Sequence, residues 1–258
     1  MSLLPRVRRI ALATAVAGLA ASAAVSTSTP SPAAAGDTSS AGRPAVTESR
    51  VLGRSVEGRA IRAYRVGDPS ARRTVVVLAA MHGNELAPRV IVQELRDGDP
   101  VQGVDLWLVP TYNPDGASDR TRQNARGVDL NRNFPVRWRD LDGAYESGSG
   151  PSSEPETRAM KRFLNDVDPD RIVSFHQPLY GVDVRGKAPR FGRRLADALR
   201  LPVRAFDCGG VCHGTLTQWF NARHSGVAIT VELGDDPTRR YLHRVAPRGL
   251  LRAVGGAR

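Results

Sequence analysis

Lysine is almost absent from this 258-residue chain: of 37 basic residues, only Lys161 and Lys187 are lysines. Aromatic residues are also sparse, at 5%, and no Lys/Arg run is interleaved with them. A nucleic-acid surface needs a localised basic stripe, so this composition speaks against a nucleic-acid partner. The net charge of +11 is instead a scattered arginine surplus, which suits a solvated surface attracted to anionic polymers. Cysteine is limited to Cys208 and Cys212. A thiolate metal site with His213 finds nothing nearby to complete four ligands, which leaves a disulfide as the expected state of the pair in an exported chain. No internal repeat is visible. The chain is long enough for one sizeable α/β domain but not comfortably for two.

The N-terminus carries Arg6, Arg8 and Arg9 ahead of an alanine-rich apolar stretch from Ile10 to about Val25. A basic n-region, a short h-region and small-residue cleavage contexts make a secretory signal over residues 1–35, with cleavage after Ala24 or Ala35. The stretch falls short of the roughly 20 apolar residues of a membrane span, so no lasting membrane insertion is expected. Residues 36–47 are poor in large apolar groups and read as a flexible linker. Residues 48–258 form the one expected domain, and the mature protein is therefore expected to be secreted or cell-wall associated, and monomeric.

Beyond the leader, apolar runs alternate with amphipathic stretches. Val51–Val66 reads as a hairpin. Thr74–Ala80, Asp105–Val109, Arg171–Phe175, Val203–Phe206 and Val227–Leu233 read as strands. Helical spacing covers Leu86–Leu95, Phe191–Leu201, Leu216–Ala222 and a tail from Thr238 interrupted at Pro247. A further helix is expected to open with Ser153 as N-cap and Glu156 as its capping-box partner. This alternation predicts a three-layer α/β domain with a largely parallel sheet, whose sites gather at the carboxyl ends of the strands.

Two of those strand ends carry metal-ligand chemistry. His82 and Glu85 sit three residues apart after the run Val75–Leu78, and His176 ends the run Ile172–Phe175. Hydrolytic zinc takes three N/O ligands from protein and keeps one position open. An isolated histidine is more often a hydrogen-bonded core residue, but two at strand ends with a carboxylate are a candidate ligand set. Glu232 lies inside another apolar run, Ala228–Leu233, where an ionised carboxylate is costly without a partner or a task. Between them, residues 111–150 form a long stretch dense in Asn, Asp, Gly, Pro and Arg, expected to be functional.

His82-Gly83-Asn84-Glu85, Gly127-Val128-Asp129-Leu130-Asn131-Arg132-Asn133-Phe134, Ser174-Phe175-His176 and Thr230-Val231-Glu232-Leu233 occur in the order seen in the zinc metallocarboxypeptidase family. The chain resembles that family from about Gly53 to Leu233. With Ser174-Phe175-His176-Gln177-Pro178-Leu179, it is most similar to the small bacterial murein peptide amidases, which cut between γ-D-glutamate and meso-diaminopimelate. The resemblance implies a metallocarboxypeptidase-like fold, a mixed and largely parallel central sheet flanked by helices. It implies one Zn2+ held by His82, Glu85 and His176, with Glu232 as general base toward the attacking water. Asn131 and Arg132 match the residues that hold the substrate's free carboxylate, and Arg122 the arginine that stabilises the oxyanion, with Arg120 and Arg126 close by.

The segment Cys208–Thr215 departs from the larger pancreatic-type members, because it lacks their loop tyrosine; His213 could replace that polar contact but reads more readily as an exposed loop imidazole. By position, Leu216, Thr217 and Gln218 are expected to border the substrate pocket. The implied substrate is a peptide or peptidoglycan stem peptide. A general secreted metallocarboxypeptidase is the nearest alternative, and a catalytically silent wall-binding protein is the alternative of another class.

Overall fold

The computed structural model describes residues 45–206 and 208–258. The expected signal segment and most of the expected linker lie outside them. Among the described residues, no helix is long and apolar enough to cross a membrane.

A hairpin opens the domain, with β1 (Glu48–Arg54) antiparallel to β2 (Ala60–Arg65). Then follow β3 (Thr74–Leu78), α1 (Ala87–Asp97), β4 (Asp105–Val109), the short α2 (Pro114–Asp119) and α3 (Pro155–Val167). The second half contains β5 (Arg171–His176), β6 (Gly181–Asp183), α4 (Pro189–Leu199), β7 (Val203–Arg204), α5 (Leu216–Arg223), β8 (Val227–Glu232) and α6 (Ala246–Val254).

One eight-stranded sheet runs in the order β1-β2-β4-β3-β5-β8-β6-β7. Its centre, β4-β3-β5-β8, is parallel, while the β1-β2-β4 side and the β6-β8 pair are antiparallel. The central strands are buried on both faces, which is why they read as continuous Val/Ile/Leu runs rather than as alternation.

Alternate residues feed two cores. Val75, Val77, Val173, Ile229 and Val231 pack with the apolar stripes of α1, α4 and α6. Val76, Leu78, Trp107, Ile172 and Ala228 pack with α3 and α5 on the other face. The result is the expected three-layer, mixed and largely parallel α/β fold.

Three local expectations differ. The N-cap of α3 is Glu154, without a side-chain cap. Ser153 instead bonds Glu154 and Asn133, and Glu156 accepts from the Val56 amide and Asn124. Both ends of that capping pattern are taken by tertiary partners. A true capping box opens α5, between Thr215 and Gln218. The helical tail is not broken at Pro247: a π-helical turn, Tyr241–Val245, passes directly into α6, whose first turn tolerates a proline without an amide hydrogen.

Candidate metal centre and active site

The chain leaves β3 through Ala80, which takes a positive φ of 51° and turns the main chain away from the sheet. The next turn, with the Glu85 amide donating to the His82 carbonyl, presents both side chains to one side. A Cβ on Gly83 would lie 1.8 Å from the Gly116 carbonyl carbon, so this close approach of the turn to α2 admits only glycine. His176 is the last residue of β5 and Glu232 the last of β8, and the two are direct register partners.

His82, Glu85 and His176 converge, with potential ligand atoms all within 4.8 Å of one another. His82 Nδ1 lies 2.7 Å from Glu85 Oε1, and His176 Nδ1 lies 3.0 Å from Glu85 Oε2. Both imidazoles thus turn Nδ1 inward. Their outer nitrogens are held: His82 Nε2 lies 3.0 Å from Asp129 Oδ1, and His176 Nε2 lies 2.9 Å from Ser174 Oγ. Histidines that ligate a metal characteristically have their second nitrogen fixed this way. Two inward imidazole nitrogens and one carboxylate form a donor set that fits zinc.

Asp129 was not among the expected site residues. It is fully buried; besides holding His82 it accepts two bonds from Arg122, at 2.8 and 3.0 Å, and one from the Asn131 amide. Ser174 was also missed, although it lies two residues before His176 on one strand face, a spacing that could have flagged it.

Arg122 is the arginine that reaches the cluster, with Nη1 3.5 Å from Glu85 Oε1. Arg120 instead ends α2 in a left-handed conformation and is exposed, and Arg126 lies 3.6 Å from Glu154. Arg132 is buried; one Nη bonds the Asn131 carbonyl, while its Nε has no partner. The Asn131 side-chain carbonyl accepts from the Leu216 amide at 3.1 Å. This leaves its NH2 as the group available to a ligand. Tyr145, in a loop without any sequence signal, lies under both guanidinium groups, 5.3 Å from Arg122 and 5.1 Å from Arg132.

Burial opposes charge throughout this site, but the partners decide the outcome. For His82, Asp129 and Glu85 outweigh burial and hold the pKa up to about 9. Burial likewise works against the carboxylates of Glu85 and Asp129. The histidines beside Glu85, and His82 with Arg122 beside Asp129, nonetheless hold both below the usual range. For Glu232 burial prevails and raises the pKa; its Oε2 accepts one bond, from the Leu179 amide at 3.3 Å. Burial also lowers the pKa of Arg132.

In the metal-free protein, His82 is therefore protonated at neutral pH, and zinc must displace that proton. Zinc affinity is expected to rise about tenfold per pH unit below about pH 9. Chelator competition between about pH 6 and pH 8, with proton release read by calorimetry, checks this. A flat affinity would show that His82 is already neutral.

The border of the site differs in part from expectation. Leu216 is fully buried in the core with Trp219 and Phe220. Gln218 is occupied by the Thr215 capping box and by the Cys212 carbonyl. Helix capping and core packing have used both side chains, leaving Thr217 half-buried. Cys208 and Cys212 form a disulfide. His213 is half-exposed and reaches the Arg137 carbonyl at 3.2 Å.

The zinc carboxypeptidase family model matches residues 36–178, which include His82, Glu85, Arg122, Asn131, Arg132 and His176. Murein peptide amidase A of Escherichia coli K12 is 30% identical over 203 residues, covering 69% of this chain and 79% of that protein. The crystal structure of a murein-tripeptide amidase from Escherichia coli O157 superposes with a TM-score of 0.67 at 30% identity, over 80% of this chain and 92% of that one. Carboxypeptidase A from Helicoverpa armigera shares the fold at 16% identity, with a TM-score of 0.66 over 82% of this chain and 68% of that one. The ligand triad and the strand-end placement thus coincide with an independent match over more than half of the sequence: this chain is a zinc metallopeptidase and belongs to the zinc carboxypeptidase family.

Proposed function

We propose that this protein is an exported amidase that hydrolyses peptidoglycan stem peptides between γ-D-glutamate and meso-diaminopimelate, with a single zinc on His82, Glu85 and His176. The observation that carries this reading is the placement of Glu232 in register with His176, one of the ligand triad that Arg122 also reaches through Glu85. Likeness to the two murein amidases over most of their lengths supports the substrate class. The basic, alanine-rich N-terminal segment supports export.

His82, Glu85 and His176 would hold the zinc, which when bound would supply Lewis acidity toward water and the scissile carbonyl. Glu232 accepts a proton from the attacking water and returns it to the departing amine, a transfer helped by a carboxylate pKa that burial has raised. Arg122, oriented by Asp129 and Tyr145, turns an N–H edge toward the oxygen on which charge develops. Arg132 and the Asn131 NH2 hold the free carboxylate of the departing residue; a guanidinium fork matches its two oxygens. The products are L-Ala-D-Glu and meso-diaminopimelate, with one water consumed.

Incubating the protein with L-Ala-γ-D-Glu-meso-diaminopimelate and with a panel of ordinary peptides, followed by mass spectrometry, tests the proposal. Release of diaminopimelate with the ordinary peptides intact is expected. Trimming of ordinary C-termini with the tripeptide intact would make it a general metallocarboxypeptidase. Zinc-loaded protein that cleaves neither would be a wall-binding protein.

A further inference from the structure

At the end of the sheet opposite the metal centre, four arginines converge. Arg73 precedes β3, Arg171 is the first residue of β5, Arg194 lies on α4 and Arg252 in the last turn of α6. They line an open cavity of about 280 Å³. A neighbouring depression is lined by Arg72, Arg73 and Asp170. Arg171 and His176 are the two ends of one six-residue strand. At about 3.3 Å per residue, that strand separates the cavity from the metal ligands by roughly 17 Å.

None of these four guanidinium groups has a carboxylate in salt-bridge range among the described residues. Arg194 donates to the Ala253 carbonyl at 3.0 Å and Arg73 to the Val254 carbonyl at 3.3 Å. These two bonds cap the C-terminal end of α6, but its partial negative charge, about half a unit, does not balance four cations. Arg171 and Arg194 also lie over the Phe191 ring, at 4.3 and 5.4 Å. Arg171 Nη1 is buried with no hydrogen-bond partner. The nearby acid, Asp170, already accepts the Thr74 amide at 2.8 Å. The arginines accordingly repel one another: burial, Arg73 and Arg194 together lower the pKa of Arg171 to about 10, against a smaller opposing effect of Asp170.

An exposed surface disperses such charges. Here two strand starts and two helices bring them around one cavity, and a buried donor is left unused. A carboxylate offers two acceptor oxygens in one plane, whereas donors approaching from four elements suit a tetrahedral oxyanion. We infer that this cavity is a second binding site, for phosphate groups, on the face of the domain away from the hydrolytic centre. A phosphate bound there leaves the metal centre open. A phosphate-bearing polymer would therefore hold the enzyme without competing with its substrate.

Calorimetric titration of the full-length protein with glycerol phosphate and with a glycerol-phosphate polymer, at low ionic strength, tests this site. Arg194 and Arg252 are exposed, so the double variant R194E/R252E keeps the half-buried Arg171 and the core intact. Affinity for glycerol phosphate is expected to fall at least about tenfold in R194E/R252E. Arg132→Ala and a charge-matched R62E/R139E variant should bind it as the wild type does, and soluble tripeptide should be cleaved by R194E/R252E at the wild-type rate. Polymer binding that is tighter than monomer binding and lost in R194E/R252E identifies the polymer as the source of the phosphate. Monomer binding without that gain identifies free phosphate. Equal affinity in wild type and R194E/R252E, or an equal loss in R62E/R139E, would overturn the site.

Discussion

Glu232→Gln is expected to retain zinc and to lower turnover by about 10²- to 10⁴-fold, the usual contribution of a positioned proton-transfer group. The substitution preserves shape, and the glutamine carbonyl still accepts the Leu179 amide, so the register of β8 with β5 survives. What is lost is an acceptor for the proton of the attacking water. The variant also separates chemistry from folding. Burial raises the pKa of Glu232 in the folded, metal-free protein, so at neutral pH its ionised form works against folding. The metal-free variant is therefore expected to melt no lower than metal-free wild type. Elemental analysis, steady-state rates and thermal melts read the three quantities independently. Turnover within about tenfold of wild type would place the base elsewhere.

Arg132→Ala is expected to reduce kcat/KM by about 3–5 kcal/mol, the range for leaving one member of a buried charged pair alone. Without an anion, the guanidinium is buried, its Nε unpartnered and its pKa lowered by burial. A substrate carboxylate supplies the missing acceptor. The control is a substrate amidated at that carboxylate. It should lose most of its rate with the wild type and little more with Arg132→Ala, because both changes remove the same contact. Fully additive losses would show that Arg132 touches another part of the substrate.

Much of this architecture is legible in the sequence because parallel strands buried on both faces leave uninterrupted apolar runs. His82, His176 and Glu232 stand out as the polar residues that end or follow such runs. The parts that stayed hidden depend on partners distant in sequence. Asp129 holds His82 from 47 residues away, and nothing around it shows that its carboxylate is shared with Arg122. Ser153 and Glu156 carry a capping pattern that Asn133, Asn124 and the Val56 amide take over. Leu216 was placed beside the pocket from chain position, but amphipathic packing of α5 turns it into the core. Tyr145 is a lone aromatic in a glycine- and serine-rich loop, and only the fold brings it beneath two arginines.

The direct pairing of His176 with Glu232 on adjacent parallel strands has a consequence for how such an enzyme can change. The spacing between Glu232, the proposed base, and His176 is set by main-chain hydrogen bonds of the sheet, about 4.8 Å from strand to strand, and not by any loop. Asn131 and Arg132, proposed to hold the substrate carboxylate, and Tyr145 beneath Arg132 all belong to the long connection between β4 and α3. The connection can thus be exchanged without changing the spacing of Glu232 from His176, although Arg122, which belongs to the same connection, would have to be supplied again. Asp129 marks the limit of that freedom. It sits in the exchangeable segment yet props His82, so a transplanted loop must bring its own carboxylate to the same point.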